Sequence, residues 1–185
     1  MRNIKLAGRY ARALFDFAVE KNQLEESYQD ILLIMRYLKT DRELVSVFES
    51  PVIPHRKKVK IFTAIFEKMV SSSTFGFLKL ILDKRREPAL LTISEEFVKI
   101  YYRHHNIKIA HLSTAYPVDE QIIQKIKTIL EEQTKATIEV VPAVVPDLVG
   151  GFVVQIEDFV YDASILKDIN ILKREFSQNV YKAGF

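Results

Sequence analysis

The apolar residues of this chain first leave helical spacing close to residue 106, and that change restricts the architectures open to it. Before it, apolar side chains recur at three- and four-residue steps, the period of a helix with one buried face. After it, the run Ile107-Lys108-Ile109-Ala110-His111-Leu112-Ser113-Thr114-Ala115 alternates, the mark of a strand with one wet face. The two periods need different backbones, because a helix brings every third or fourth residue to one side and a strand every second. The chain therefore reads as α+β in two parts. Residues 1–105 are expected to form an N-terminal bundle of about six helices, and residues 106–185 a small C-terminal β-sheet domain with helices, joined near Arg103 to Lys108.

Six helical stretches can be placed in the first part. Leu6, Tyr10, Leu14, Phe17 and Ala18 mark a helix over Lys5 to Lys21, with Ala7, Ala11, Ala13 and Ala18 keeping parts of its surface thin. Tyr28, Ile31, Leu32, Met35 and Leu38 mark a second over Leu24 to Lys39, and Asp41 can cap a short third through Phe48. Ser50-Pro51-Val52-Ile53-Pro54 breaks helicity, since each proline biases its predecessor away from the α region. Pro54 then opens a fourth helix with Val59, Phe62, Ile65, Phe66 and Met69. Ser71-Ser72-Ser73 supplies capping oxygens before a fifth helix, Thr74 to Arg86, and Pro88 begins a sixth that reaches about His105.

Beyond the first alternating run, Asp119 to Thr134 is a helix with Ile122, Ile123, Ile126, Ile129 and Leu130 in its stripe, and Thr137 to Val144 alternates again. The stretch VPDLVGGFVVQIEDFVYDASIL, residues 145–166, is the most informative one. Only five glycines occur in the chain, so the adjacent pair Gly150-Gly151 stands out; at the head of an apolar β-branched run it suggests a bulge or an entry with φ > 0. Glu157-Asp158 reads as a turn and Phe159-Val160-Tyr161 as the returning strand. Asp162 and Ser164 supply capping oxygens for a last helix with Ile165, Leu166, Ile169, Leu172 and Phe176 on one face.

Chemistry is hard to find. The absence of cysteine removes disulfides, thiol nucleophiles and thiolate metal sites, and fits a reducing compartment. No GxGxxG or GxxxxGK[ST] occurs, and the glycine pair runs into a strand, so a nucleotide-binding role is not expected. His55, His104, His105 and His111 form no i,i+4 pair, and His104-His105 suits the negative end of a helix. The acid pairs Glu25-Glu26, Glu95-Glu96 and Glu131-Glu132 diverge by about 100° on a helix and read as solvated faces. No catalytic residue, cofactor or metal site is expected. The clusters His55-Arg56-Lys57-Lys58-Val59-Lys60 and Lys84-Arg85-Arg86 would allow RNA binding through phosphate contacts, but a net charge of +3 over 185 residues is small for a nucleic-acid binder. No apolar run approaches the ~18–20 residues needed to cross a bilayer.

Several segments carry a family resemblance. Leu148-Val149-Gly150-Gly151-Phe152, the strand after it and Asp162-Ala163-Ser164-Ile165 resemble the C-terminal signature of the δ subunits of bacterial F-type ATP synthases, related to the mitochondrial oligomycin-sensitivity-conferring protein. Arg9-Tyr10-Ala11-Arg12-Ala13-Leu14-Phe15 is similar to the opening helix of that family, and Phe77 to Arg86 to a segment ending in an arginine, with Lys84 where an asparagine is common. Glu157 stands where the family often has glycine; a left-handed turn position suits Asp158 better than Glu157. Because the resemblance starts at Arg9, the basic opening MRNIKLAGRYARALF reads as the first helix of the mature protein rather than a transit peptide.

The resemblance implies a non-catalytic stator component of the F1Fo ATP synthase, peripheral on the cytoplasmic face of a bacterial inner membrane. It implies that the helical domain takes N-terminal helical segments of the head's α subunits, that the C-terminal domain takes the end of the b-subunit stalk, and that nucleic acid is not a partner. A guest helix would be seated between the first helix and the Thr74–Arg86 helix, with Ala7, Tyr10, Ala11, Leu14, Phe75, Lys79 and Leu82 as lining. Gly150, Gly151, Asp162 and Ser164 are the structural signature of the C-terminal domain.

Overall fold

The structure, a computed structural model, describes residues 2–179. Two compact units divide the chain between His104 and His105. The first holds α1 (Arg2–Glu20), α2 (Leu24–Thr40), α3 (Arg42–Glu49), α4 (His55–Phe66), α5 (Ser72–Asp83) and α6 (Leu90–His104), the last preceded by a 3-10 turn at Glu87–Ala89. The helix ends follow local chemistry. Asp41 Oδ1 accepts from the Leu44 amide at 3.0 Å and caps α3. Ser71 caps α5 by accepting from the Thr74 amide, so α5 starts two residues before the expected Thr74. Both the Ser71 hydroxyl and its amide donate to Asp30 Oδ2, at 2.6 and 3.0 Å, which pins the start of α5 to α2. Pro88 opens the 3-10 turn rather than α6 itself.

Ala7, Ala11, Leu14, Phe15 and Ala18 turn one face of α1 into the core, and α1 packs chiefly along α6. Phe15 lies 6.3 Å from the Phe97 ring and edge-on to His104 at 5.2 Å. The alanines of α1 thus let α6 approach. A second aromatic group, Phe48, Phe62 and Phe66, fills the space between α3 and α4. Beside it lies a buried ion pair: Lys58 Nζ donates to the Phe48 carbonyl at 2.6 Å and to Glu87 Oε1 at 3.0 Å. Lys58 is therefore no part of a basic surface, contrary to its place in the cluster above. One ammonium satisfies a carbonyl at the end of α3 and one oxygen of the carboxylate that opens the 3-10 turn, which offsets part of the cost of burying both charges; the other oxygen, Glu87 Oε2, is buried with no hydrogen-bond partner among the described residues.

The second unit holds β1 (Ile107–Thr114), α7 (Glu120–Thr134), β2 (Thr137–Val144), β3 (Gly151–Ile156), β4 (Phe159–Ser164) and α8 (Ile165–Asn179). The sheet order is β2-β1-β3-β4; β1 and β2 are parallel, and the other two pairs antiparallel. A parallel pair needs a crossover, and α7 supplies it. Ala110 and Leu112 of β1, Ile138 of β2 and Val154 and Ile156 of β3 form a core against which Ile123, Ile126 and Leu130 of α7 pack. The acid pairs are less idle than their spacing suggested. Glu131 Oε1 accepts from the Ile138 amide at 3.1 Å, and Glu25 Oε2 accepts from the Tyr101 hydroxyl at 2.6 Å. Burial, then that bond to Glu25, pushes the Tyr101 phenol well above its usual range.

Candidate interaction surfaces

The glycine pair sets up the C-terminal unit, with the demands divided differently from the expectation. Gly150 has no positive φ; Gly151 does, at +73°, and a Cβ there would land on the Ala163 carbonyl oxygen of the paired strand β4. At Gly150 a Cβ would come 2.5 Å from Ile165 Cδ1, the end of a flexible side chain. The residue before them carries strain: Val149 sits at φ 64°, ψ −37°, and the Gly150 amide donates to the Leu148 carbonyl at 2.7 Å, closing a γ-turn around a β-branched residue. The hairpin turn differs from expectation too. Glu157 takes the left-handed position, at φ 51°, and Asp158 does not; Glu157 also pairs with Lys108 at 3.3 Å.

Ser164 caps α8, while Asp162, expected to cap as well, instead fixes the turn that leads into the helix. Asp162 Oδ1 accepts from the Ser164 amide at 2.9 Å, and Ser164 Oγ accepts from the Lys167 amide at 3.2 Å. Hydrogen bonds from the Ser164 side chain and amide hold the Asp162 carboxyl below its usual range, with Lys167 adding a smaller pull. The helix so started carries Ile165, Ile169, Leu172 and Phe176 at i, i+4, i+7 and i+11, and of these Ile165, Leu172 and Phe176 are exposed.

An apolar trough lies in the same unit. Ile126, Ile129 and Leu130 of α7 face Phe152 and Val154 of β3 and Tyr161 of β4 across a cavity of about 330 Å³. A second, of about 360 Å³, shares Leu130, Gln133, Val154 and Tyr161 with it and runs on to Ile156 and Phe159. The trough exists because β4 extends the sheet beyond the reach of α7, leaving Phe159 and Tyr161 exposed.

In the helical unit the expected lining residues separate. Ala7, Ala11 and Leu14 are 0% exposed and Leu82 is 1% exposed, so these four belong to the core. Phe75 is half-buried and stacks on Phe62 of α4 at 6.1 Å, while Lys79 lies on the outer side of α5. Tyr10 is partly buried, at the edge of this core. Since Phe15 faces α6, the opposite flank of α1 is Leu6, Tyr10, Ala13 and Phe17, again at i, i+4, i+7 and i+11. On α5 the flank opposite Phe75 is Ser73, Phe77 and Leu80. The Ser73 hydroxyl donates to Gln23 Oε1 at 2.7 Å, so this flank begins beside the link between α1 and α2. Leu80 is 45% exposed, and a Cβ added at Gly76 would meet nothing within 4 Å. Spacing alone places Leu6, Tyr10 and Phe17 on a stripe of α1, whereas the burial of Ala7, Ala11 and Leu14 follows from how the rest of the bundle packs on it. A hollow of about 580 Å³ lies elsewhere, among Leu38, Arg42, Val45 and Leu91, with a mixed polar lining.

Among the described residues no group of three or more His, Cys, Asp or Glu could hold a metal ion, and no helix is long and apolar enough to cross a membrane.

Comparison with known proteins gives consistent results. A family model described as ATP synthase delta (OSCP) subunit matches residues 6–176. The ATP synthase subunit delta of Syntrophomonas wolfei is 33% identical over 178 residues, covering 96% of this chain and 98% of its own. That of Amoebophilus asiaticus is 31% identical over 176 residues, covering 95% and 96%. Among solved structures, a chain of the mitochondrial ATP synthase hexamer of Toxoplasma gondii shares the fold with a TM-score of 0.72 at 22% identity, covering 93% of this chain and 97% of that one.

Proposed function

The chain belongs to the ATP synthase delta (OSCP) subunit family, and from that premise we propose how its two units divide the work of a stator. The family's subunit ties the catalytic head to the peripheral stalk, so that the head stays still while the rotor turns. Such a part needs two interfaces and no chemistry of its own. The observation that carries the reading is that each compact unit presents its own apolar surface: the α1–α5 flanks on one, and the trough with the α8 stripe on the other.

The helical unit takes an N-terminal helical segment of the head's α subunits. Leu6, Tyr10, Ala13 and Phe17 on one side and Phe77 and Leu80 on the other offer apolar contacts at helical spacing, as helix-in-groove binding requires. Ala7, Ala11, Leu14 and Leu82 support this surface from beneath. The C-terminal unit takes the end of the b stalk, with Phe152, Phe159 and Tyr161 along the trough and Leu172 and Phe176 on α8 as anchors. The subunit works at the periphery of the membrane through the complex, on the cytoplasmic face in a bacterium.

Calorimetry with the full chain tests this directly. A peptide of the head α subunit's N-terminal helix and a C-terminal fragment of the stalk subunit should each bind, and each should bind equally well in the presence of the other. Competition between the two, or binding of both to one unit, would overturn the division.

A further inference from the structure

The buried Lys58–Glu87 pair gathers three surface segments at one end of the helical unit. Lys58 stands in the first turn of α4 and also holds the Phe48 carbonyl near the end of α3, so the Ser50–Pro54 loop begins and ends beside it. Glu87 follows Lys84, Arg85 and Arg86 directly, so the turn after α5 lies against the same point. Arg56, Lys57 and Lys60 of α4 and Lys84, Arg85 and Arg86 of this turn are all exposed, and none of the six is in an ion pair among the described residues. The exposed acids close to them in the chain are Glu49 and Asp83, which leaves a clear positive excess.

Two local costs accompany this arrangement. The first turn of α4 holds no acidic residue and its start has no side-chain cap, so Arg56 and Lys57 sit at the positive end of a helix dipole that disfavours them. Arg85 occupies a left-handed position, φ 54°, where glycine would be unstrained. Directly before α4, the Ser50–Pro54 loop carries Val52 at 85% exposure, flanked by exposed Pro51 and Pro54. An apolar tip on a loop beside unpaired cations matches an anionic bilayer surface, where the tip enters the headgroup boundary and the cations meet lipid phosphates. Single-stranded nucleic acid would call for aromatic stacking platforms among the cations, and this tip has none.

We propose that this corner, Val52 with Arg56, Lys57, Lys60, Lys84, Arg85 and Arg86, binds anionic lipid surfaces and brings the free subunit to the membrane before it joins the complex. Apart from Lys84, which continues the Phe77–Leu80 flank of α5 by one turn, none of these residues belongs to the α1–α5 flanks or the trough.

Co-sedimentation of the full chain with vesicles tests it. Vesicles containing phosphatidylglycerol should bind the chain at low salt, phosphatidylcholine vesicles should not, and binding should fade as salt rises. K57E/R85E should weaken binding by roughly tenfold or more, given that each cation near an anionic surface contributes about fivefold. V52D should also weaken it, while K125E, on the other unit, should leave it unchanged. Circular dichroism of each variant should match the parent; if K57E/R85E misfolds, V52D and the exposed R56E provide the same comparison. Parallel arms use poly-glutamate and single-stranded RNA. Equal binding to either of these, indifference to V52D, or no sedimentation with phosphatidylglycerol vesicles at low salt would each overturn the proposal. Loss of head or stalk binding has no bearing on any of these outcomes, so the stator reading and this one fail separately.

Discussion

Gly150 and Gly151 stand side by side, yet their environments differ in kind. At Gly151 the obstacle is backbone, the Ala163 carbonyl, and φ is positive; at Gly150 it is the tip of the Ile165 side chain, and φ is ordinary. G151A should therefore lower stability by about 2 kcal/mol or more, through strain plus displacement of β4. G150A should cost about 1 kcal/mol or less, because Ile165 can rotate aside. Urea unfolding followed by circular dichroism suits a chain without tryptophan. Equal losses for the two variants would contradict the assigned roles. Asp162 makes the second residue-scale prediction. Its folded pKa is depressed, so the stability contributed by its bonds from Ser164 is fully present above the unfolded value of about 3.9 and is lost as pH falls through the folded value. The stability gap between the parent and D162N should hold steady above about pH 5 and shift on the acid side, following protonation of Asp162 in the parent. A gap independent of pH down to the acid limit would show that the hydrogen bonds from Ser164 do not select the ionised form.

At the scale of elements, α1 has to serve two neighbours with opposite flanks. Ala11 has no exposed surface and is in the core, whereas Ala13 is exposed on the helix's other side. A11W should overpack the bundle and cost about 1–3 kcal/mol or more of stability, so any loss of partner binding would follow unfolding. A13W should leave helicity and melting temperature close to the parent and weaken binding of the head-derived helix by about 1–3 kcal/mol. Calorimetry beside thermal denaturation distinguishes the two. Unchanged affinity for A13W would move the head-binding surface away from the α1–α5 flank. The same reasoning explains α7 and α8: each has an apolar stripe wider than the partner it packs on, and the excess faces the trough or solvent.

For the whole molecule, two compact units on one chain suggest that the first can fold by itself. A fragment of residues 1–105 should be helical by circular dichroism, unfold cooperatively and bind the isolated head. Added to membranes stripped of this subunit, it should occupy the head yet leave ATP-driven proton pumping uncoupled, whereas the full chain restores it. Full pumping with the fragment would remove the C-terminal unit from the stalk contact.

How much of this was legible in advance depended on range. Helix and strand identity followed from periods of 3.6 and 2, which are written in the chain itself, and Asp41, Ser71 and Ser164 act within three residues of where they stand. The signature glycines and the opening helix were enough to recognise the family. Three things depended on tertiary structure. Which flank of α1 is buried was decided by α6, over eighty residues away, since periodicity marks a stripe but not its neighbour. The fate of Lys58 was decided by Glu87, which turned one cation of a basic run into a buried tie between α4 and the turn after α5. The position of β3 between β1 and β4 was decided by hydrogen bonds between distant strands, and it left β4 beyond the cover of α7. Local spacing fixes what each segment is, because backbone geometry acts over a few residues; which surfaces remain open is settled only when distant segments compete to cover them.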